Sequence, residues 1–131
     1  MRKQLVFLIL LFISAAVSVQ GCGLELAVVG AGAAGTVAYI KGDLQTVESA
    51  DIDAVYKAVL KAVDELELSI TQKMKDAMTA KVVARDSQYK KITIKLGATA
   101  EGATKLSIRV GLFGNKRKSR LIYEQIKEYL D

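Results

Sequence analysis

The sequence predicts an α+β domain: a two-layer sandwich in which an antiparallel sheet of about five strands carries two helices on one face, in the order β-α-β-β-β-β-α. Three observations predict it. Two segments, one near residues 51–66 and one at the C-terminal end, repeat apolar residues at helical spacing. Four segments between them alternate apolar and polar side chains, the period of a strand with one buried and one wet face. The connections between those four segments are short and polar, which makes consecutive strands antiparallel neighbours. A helix with one apolar stripe and a sheet with one apolar face bury both by packing against each other.

In chain order, "VAYIKGDLQTV" from Val37 to Val47 reads as the first strand, with Gly42 as a bulge. Ser49 or Asp51 then caps a helix whose apolar stripe is Ile52, Val55, Val59, Val63 and Leu66. Asp51 and Asp53 sit in its first turn, where the helix dipole favours acids. "LSITQKM" sets Leu68, Ile70 and Met74 against Ser69, Thr71 and Lys73. "AKVVAR" sets Ala80, Val82 and Ala84 against Lys81, Val83 and Arg85. "KITIKL" places Ile92, Ile94 and Leu96 inward and Lys91, Thr93 and Lys95 outward. "KLSIRVGL" places Leu106, Ile108, Val110 and Leu112 inward and Lys105, Ser107 and Arg109 outward. Asp76, Asp86-Ser87 and the stretch from Gly97 to Gly102 supply the turns. A last helix, capped by Asn115 or Ser119, presents Leu121, Ile122, Ile126, Tyr129 and Leu130. A basic first turn opposes the helix dipole, so "NKRKSR" is expected as the loop before a Ser119 cap.

Ahead of this domain the chain has the layout of a secretory leader. Arg2 and Lys3 precede an apolar run from Leu5 to Val19, and Gly21 stands before Cys22. Fifteen apolar residues span about 22 Å as a helix, short of a hydrocarbon core of about 30 Å, so a signal peptide fits better than a permanent span. Val19-Gln20-Gly21-Cys22 resembles the lipobox of bacterial lipoproteins. That resemblance implies cleavage after Gly21 and acylation of Cys22 with a diacylglyceride and palmitate, a lasting membrane anchor because more than one acyl chain is involved. Gly23 in place of Asp favours, by the same resemblance, the outer membrane facing the periplasm. The expected organisation is a signal peptide over 1–21, the lipidated Cys22 with a Gly/Ala-rich spacer over 22–35, and the α+β domain over 36–131.

"AVVGAGAAG" carries Gly30, Gly32 and Gly35 in the G-x-G-x-x-G spacing of dinucleotide-binding loops. That loop works between a buried strand and a helix whose first amides face a pyrophosphate. Here the residues that follow are β-branched and interrupted by Gly42, and Asp51 and Asp53 open a helix instead of ending a second parallel strand. The tract is therefore expected as a spacer, and no cofactor is expected.

The sequence has no histidine and a single cysteine, which removes the common general base, the usual zinc ligands and, once acylated, a thiol nucleophile. No metal site and no catalytic residue are expected; a soluble periplasmic enzyme, or a nucleotide-cofactor protein using Gly30, Gly32 and Gly35, is the alternative. Charge is unevenly placed. Residues 22–67 hold 3 basic and 8 acidic side chains, and residues 68–131 hold 14 and 6. Lys73, Lys75, Lys81, Arg85, Lys91, Lys95, Lys105 and Arg109 are expected on the outward face of the sheet, as a contact surface for anionic lipid or an acidic envelope partner. Lysine on exposed strands also blocks edge association, which accounts for part of the pattern without any ligand. Nucleic acid is not expected, because the outward positions lack stacking aromatics and export removes the target.

The tract around Gly-Cys, Tyr39 to Gly42, the helical pair Val55-Tyr56 and the closing run from Arg109 to Gly114 together resemble a family of small bacterial envelope lipoproteins classed as a domain of unknown function. The family pattern is Gly-Cys, a Gly/Ala tract, Tyr-x-x-Gly and a terminal Arg-Val-Gly-x-Phe-Gly; Asn115 departs from the Asp expected after it. The resemblance implies the architecture and an envelope location and no defined activity; the missing catalytic chemistry and the basic face add the expectation of a membrane-anchored, non-enzymatic binding or assembly module.

Overall fold

The structure, a computed structural model, describes residues 36–130. The expected signal peptide, Gly21, Cys22 and the glycines 30, 32 and 35 lie outside the described residues. Six strands and two helices follow one another as β1 (Ala38–Ile40), β2 (Asp43–Glu48), α1 (Ile52–Glu65), β3 (Ser69–Lys75), β4 (Thr79–Arg85), β5 (Lys91–Ala98), β6 (Thr104–Val110) and α2 (Lys116–Glu128). The strands form one sheet in the order β1-β2-β6-β5-β4-β3, with every neighbouring pair antiparallel.

Both helices lie on one side of that sheet, α1 over β3, β4 and β5, and α2 over β2 and β6. Asp51 caps α1, its side chain accepting from the amide of Ala54 at 2.8 Å. The buried stripe is Ile52, Val55, Val59 and Val63, with Ala58 and Ala62 letting the helix approach closely. From the sheet come Leu44, Ala80, Val82, Ala84, Ile92, Ile94, Leu96, Leu106, Ile108 and Val110, and from α2 come Ile122, Tyr123 and Ile126. Each such Ile, Leu or Val contributes about 1.5 to 3 kcal/mol on burial. The two-layer α+β sandwich expected from the alternation is the fold observed.

Five details differ from the expectation. The first strand is two: Lys41 and Gly42, both at positive φ (51° and 89°), form a two-residue turn, so β1 and β2 pair as a hairpin and the sheet has six strands. Gly42 is thus a turn residue, not a bulge. β3 is an edge strand exposed along its whole length. A register shift between Ile70 and Gln72 changes its phase, so that Lys73 and Lys75 stand opposite the inward residues Val82 and Ala80. Gly111, at φ 74°, ends β6 before Leu112 can turn inward, and Leu112 is 80% exposed. Finally, α2 begins at Lys116, not after Ser119. Asn115 is the cap, accepting from the amide of Lys118 at 3.1 Å, and Ser119 is fully buried while Leu121 faces solvent. Capping by Asn115, the ion pair of Lys118 with Asp86 at 3.2 Å, and burial of Ile122, Tyr123 and Ile126 outweigh the unfavourable basic first turn. Among the described residues no helix is long and apolar enough to cross a membrane.

Candidate functional site

With both helices on one side, the other side of the sheet is covered by nothing among the described residues. Strand alternation decides what stands there. In β4 the outward residues are Lys81, Val83 and Arg85; in β5, Lys91, Thr93 and Lys95; in β6, Lys105, Ser107 and Arg109. Antiparallel register then sets Lys81 directly opposite Lys95, and Arg85 directly opposite Lys91. Cβ atoms at such positions are about 5 Å apart, and like charges so placed destabilise a sheet. Between these two cationic pairs, Val83, Thr93 and Arg109 form a row across the three strands.

The result is a shallow depression of about 200 Å³, lined by Lys81, Lys91, Lys95 and Arg109, the hydroxyl residues Thr93 and Ser107, and one acid, Asp43. Lys81, Lys91 and Lys95 have no acidic partner within ion-pair distance among the described residues. Arg85 donates from Nη1 to the carbonyl of Tyr89 at 2.9 Å, which aims it along the turn after β4. Lys105 lies opposite Gly97 and Val47, toward the far end of the face.

Arg109 differs from the lysines. Its Nε donates to Asp43 at 2.8 Å and its Nη2 to the carbonyl of Lys41, so one guanidinium ties β6 to the β1–β2 turn. That turn is also held from the other side, because a Cβ on Gly42 would stand 2.6 Å from the carbonyl oxygen of Phe113. Tyr39, Gly42, Arg109 and Gly114, which carry the family resemblance in the sequence, meet as a clamp of the hairpin turn onto the β6–α2 connection.

Six of the eight expected residues therefore share the open face: Lys81, Arg85, Lys91, Lys95, Lys105 and Arg109. Lys73 and Lys75 do not, because the β3 irregularity turns them to the helix side. Lys75 pairs with Asp53 of α1 and sits over the ring of Tyr56 at 6.0 Å. The hydrogen bond from Lys75 holds the carboxyl of Asp53 below its ordinary value and raises the ammonium in return.

One polar cluster has no counterpart in the expectation. Tyr123 donates to Glu48 Oε1 at 2.8 Å and Thr46 donates to the same oxygen at 3.1 Å, all three residues being buried between β2 and α2. Thr46 and Glu48 interrupt the apolar alternation of β2, and that interruption is the signal the sequence offers. The cluster is closed to solvent and ties α2 to the sheet. Among the described residues no group of acids, histidine or cysteine is arranged to hold a metal ion.

Fold and face define a class: a small α+β sandwich with one packed layer of helices and one cationic sheet surface that no described helix covers. Within that class the chain belongs to the family described as a protein of unknown function (DUF3568), which matches residues 4–129. No curated protein matches the chain.

Proposed function

We propose that the chain is a membrane-anchored bacterial lipoprotein of the cell envelope, held by acylated Cys22 at the outer membrane and facing the periplasm, that works without catalysis as a binding or assembly module. Its open sheet face receives an anionic partner, whether the phosphates of a lipid headgroup or the carboxylates of an acidic envelope component.

The observation that carries the reading is the pairing of Lys81 with Lys95 and of Arg85 with Lys91 across β4 and β5. Direct like-charge pairs lower the stability of the isolated domain. An external anion removes that penalty and turns it into affinity, and the hydroxyls of Thr93 and Ser107 offer donors beside the charges. The Gly/Ala tract between Cys22 and Thr36 is long enough to let the face reach a partner at some distance from the bilayer.

Two measurements test it. Intact mass of the chain extracted from bacterial membranes should show a chain beginning at acylated Cys22; a chain recovered unacylated from the soluble fraction contradicts the anchor. Binding of the chain to inorganic polyphosphate should fall steeply with salt and be lost when Lys91 and Lys95 are both changed to Glu. Binding indifferent to both contradicts the role of the face.

A further inference from the structure

We propose that Leu112 and Phe113 form an apolar wedge that enters the surface of an anionic lipid bilayer, with Lys116, Arg117 and Arg120 resting on the phosphates around it. This surface is separate from the cationic sheet face, and the proposal depends neither on that face nor on acylation of Cys22.

The loop that carries the wedge is fixed at both ends. Gly111, at φ 74°, donates from its amide to the carbonyl of Lys91 at 2.7 Å and turns the chain out of β6. Gly114, at φ 84°, is packed so tightly that a Cβ there would stand 2.6 Å from both the Cα of Gly42 and the hydroxyl of Tyr39. Between these anchors the side chains of Leu112 and Phe113 are 80% and 86% exposed. Two large apolar groups are thus held in water by a loop whose ends cannot fold them back.

Cations follow directly. Lys116, Arg117 and Arg120 line a depression of about 460 Å³ along the outer side of α2, together with the exposed Leu121 and with Glu124. Lys118 is turned to Asp86, whereas Lys116, Arg117 and Arg120 have no ion pair among the described residues. The first turn of α2 contains no acid, so Lys116 and Arg117 face the positive end of the helix dipole, and the one ion pair at that turn goes to Lys118.

An anionic bilayer surface relieves both conditions at once, taking the apolar tip among the acyl chains and the cations among the phosphates. A second copy of the chain would set the same cations against each other. A two-residue tip also buries far less than the roughly 800 Å² per partner that a stable protein interface needs.

The chain contains no tryptophan, so Phe113→Trp in the full chain places one indole at the tip as a reporter. With vesicles of phosphatidylcholine and phosphatidylglycerol, its emission should move to the blue and be quenched by brominated acyl chains. With phosphatidylcholine alone both effects should be weak. Changing Lys116, Arg117 and Arg120 to Gln should weaken the vesicle concentration dependence of the quenching about a hundredfold, roughly fivefold for each cation removed. Changing Lys73 to Gln, an exposed cation outside both surfaces, should leave the quenching in place, which separates the three cations beside the tip from a general loss of positive charge. Thermal melting of each variant verifies that the fold is intact, and Leu112→Ser, which alters only an exposed side chain, should weaken the same signal. Emission that stays at the position of a water-exposed indole with anionic vesicles overturns the proposal. So does equal quenching in neutral and anionic vesicles, or a blue shift that grows with protein concentration in the absence of lipid, which would identify a second copy as the occupant.

Discussion

Gly114 and Gly42 meet backbone to backbone, and the Tyr39 hydroxyl closes over the contact, so that no side chain larger than hydrogen fits at position 114. This contact joins the β1–β2 turn to the start of α2, with the Arg109 guanidinium fastening the same turn from β6. Gly114→Ala should therefore cost about 3 kcal/mol, from steric overlap with backbone and from a φ of 84° that an L side chain rarely adopts. Gly97→Ala meets nothing within 4 Å and should be neutral or stabilising by up to about 1 kcal/mol. Urea denaturation of the two variants makes the comparison.

The buried hydrogen bond from Tyr123 to Glu48 predicts a second loss. Tyr123→Phe leaves the carboxylate of Glu48 with Thr46 as its remaining partner in this cluster and should destabilise by about 1 to 3 kcal/mol. Thermal melting and urea midpoints should agree in sign, since the ring itself and its packing are kept.

Ser119 offers the opposite case. Its hydroxyl is buried in the first turn of α2 and has no hydrogen-bond partner among the described residues. Ser119→Ala removes the orphaned donor and improves helix propensity, so it should raise stability by about 1 kcal/mol. A lower melting temperature would contradict the packing described here.

Acid should unfold the domain through its turns. The amides of Met78 and Thr79 hold Asp76 below its ordinary value of 3.8, and the amide of Lys90, then the Lys118 ammonium, do the same for Asp86. A folded-state value below the unfolded one means that the stabilisation is complete above about pH 3.8 and is lost as pH falls through the lower, folded values. Melting temperature should be flat with respect to these groups near neutrality and drop on the acid side of that value. Asp76→Asn with Asp86→Asn should lower the neutral plateau and flatten the acid limb.

The central strands β4, β5 and β6 were legible because each is flanked on both sides: a strict alternation is forced when one face is core and the other water. The edges were not. β1 and β2 read as one strand because Lys41 stands where a hairpin turn usually shows Asn, Asp or Gly, leaving Gly42 as the only turn residue. In β3 nothing among the described residues covers the outer side, so no apolar pattern marks the irregularity after Ile70, and Lys73 and Lys75 change faces unannounced. α2 starts at Lys116 because tertiary burial of Ser119, Ile122 and Tyr123 and the Lys118–Asp86 pair outweigh a local electrostatic preference. Of the expected contact surface, the six cations on central strands share one face for the reason that made those strands legible. The clamp joining residues 39–42 to 109–114 depends on a contact between distant segments, which spacing alone does not encode.

The most direct test of the cationic face is a titration of the isotopically labelled chain with pyrophosphate, followed residue by residue by NMR. The amides of Lys81, Thr93, Lys95 and Ser107 should shift in a saturable way. Lys91→Glu with Lys95→Glu should abolish the shifts, whereas Lys73→Glu with Lys75→Glu, on the helix side, should preserve them. An open face whose amides do not respond, or a response that survives reversal of Lys91 and Lys95, would contradict the account.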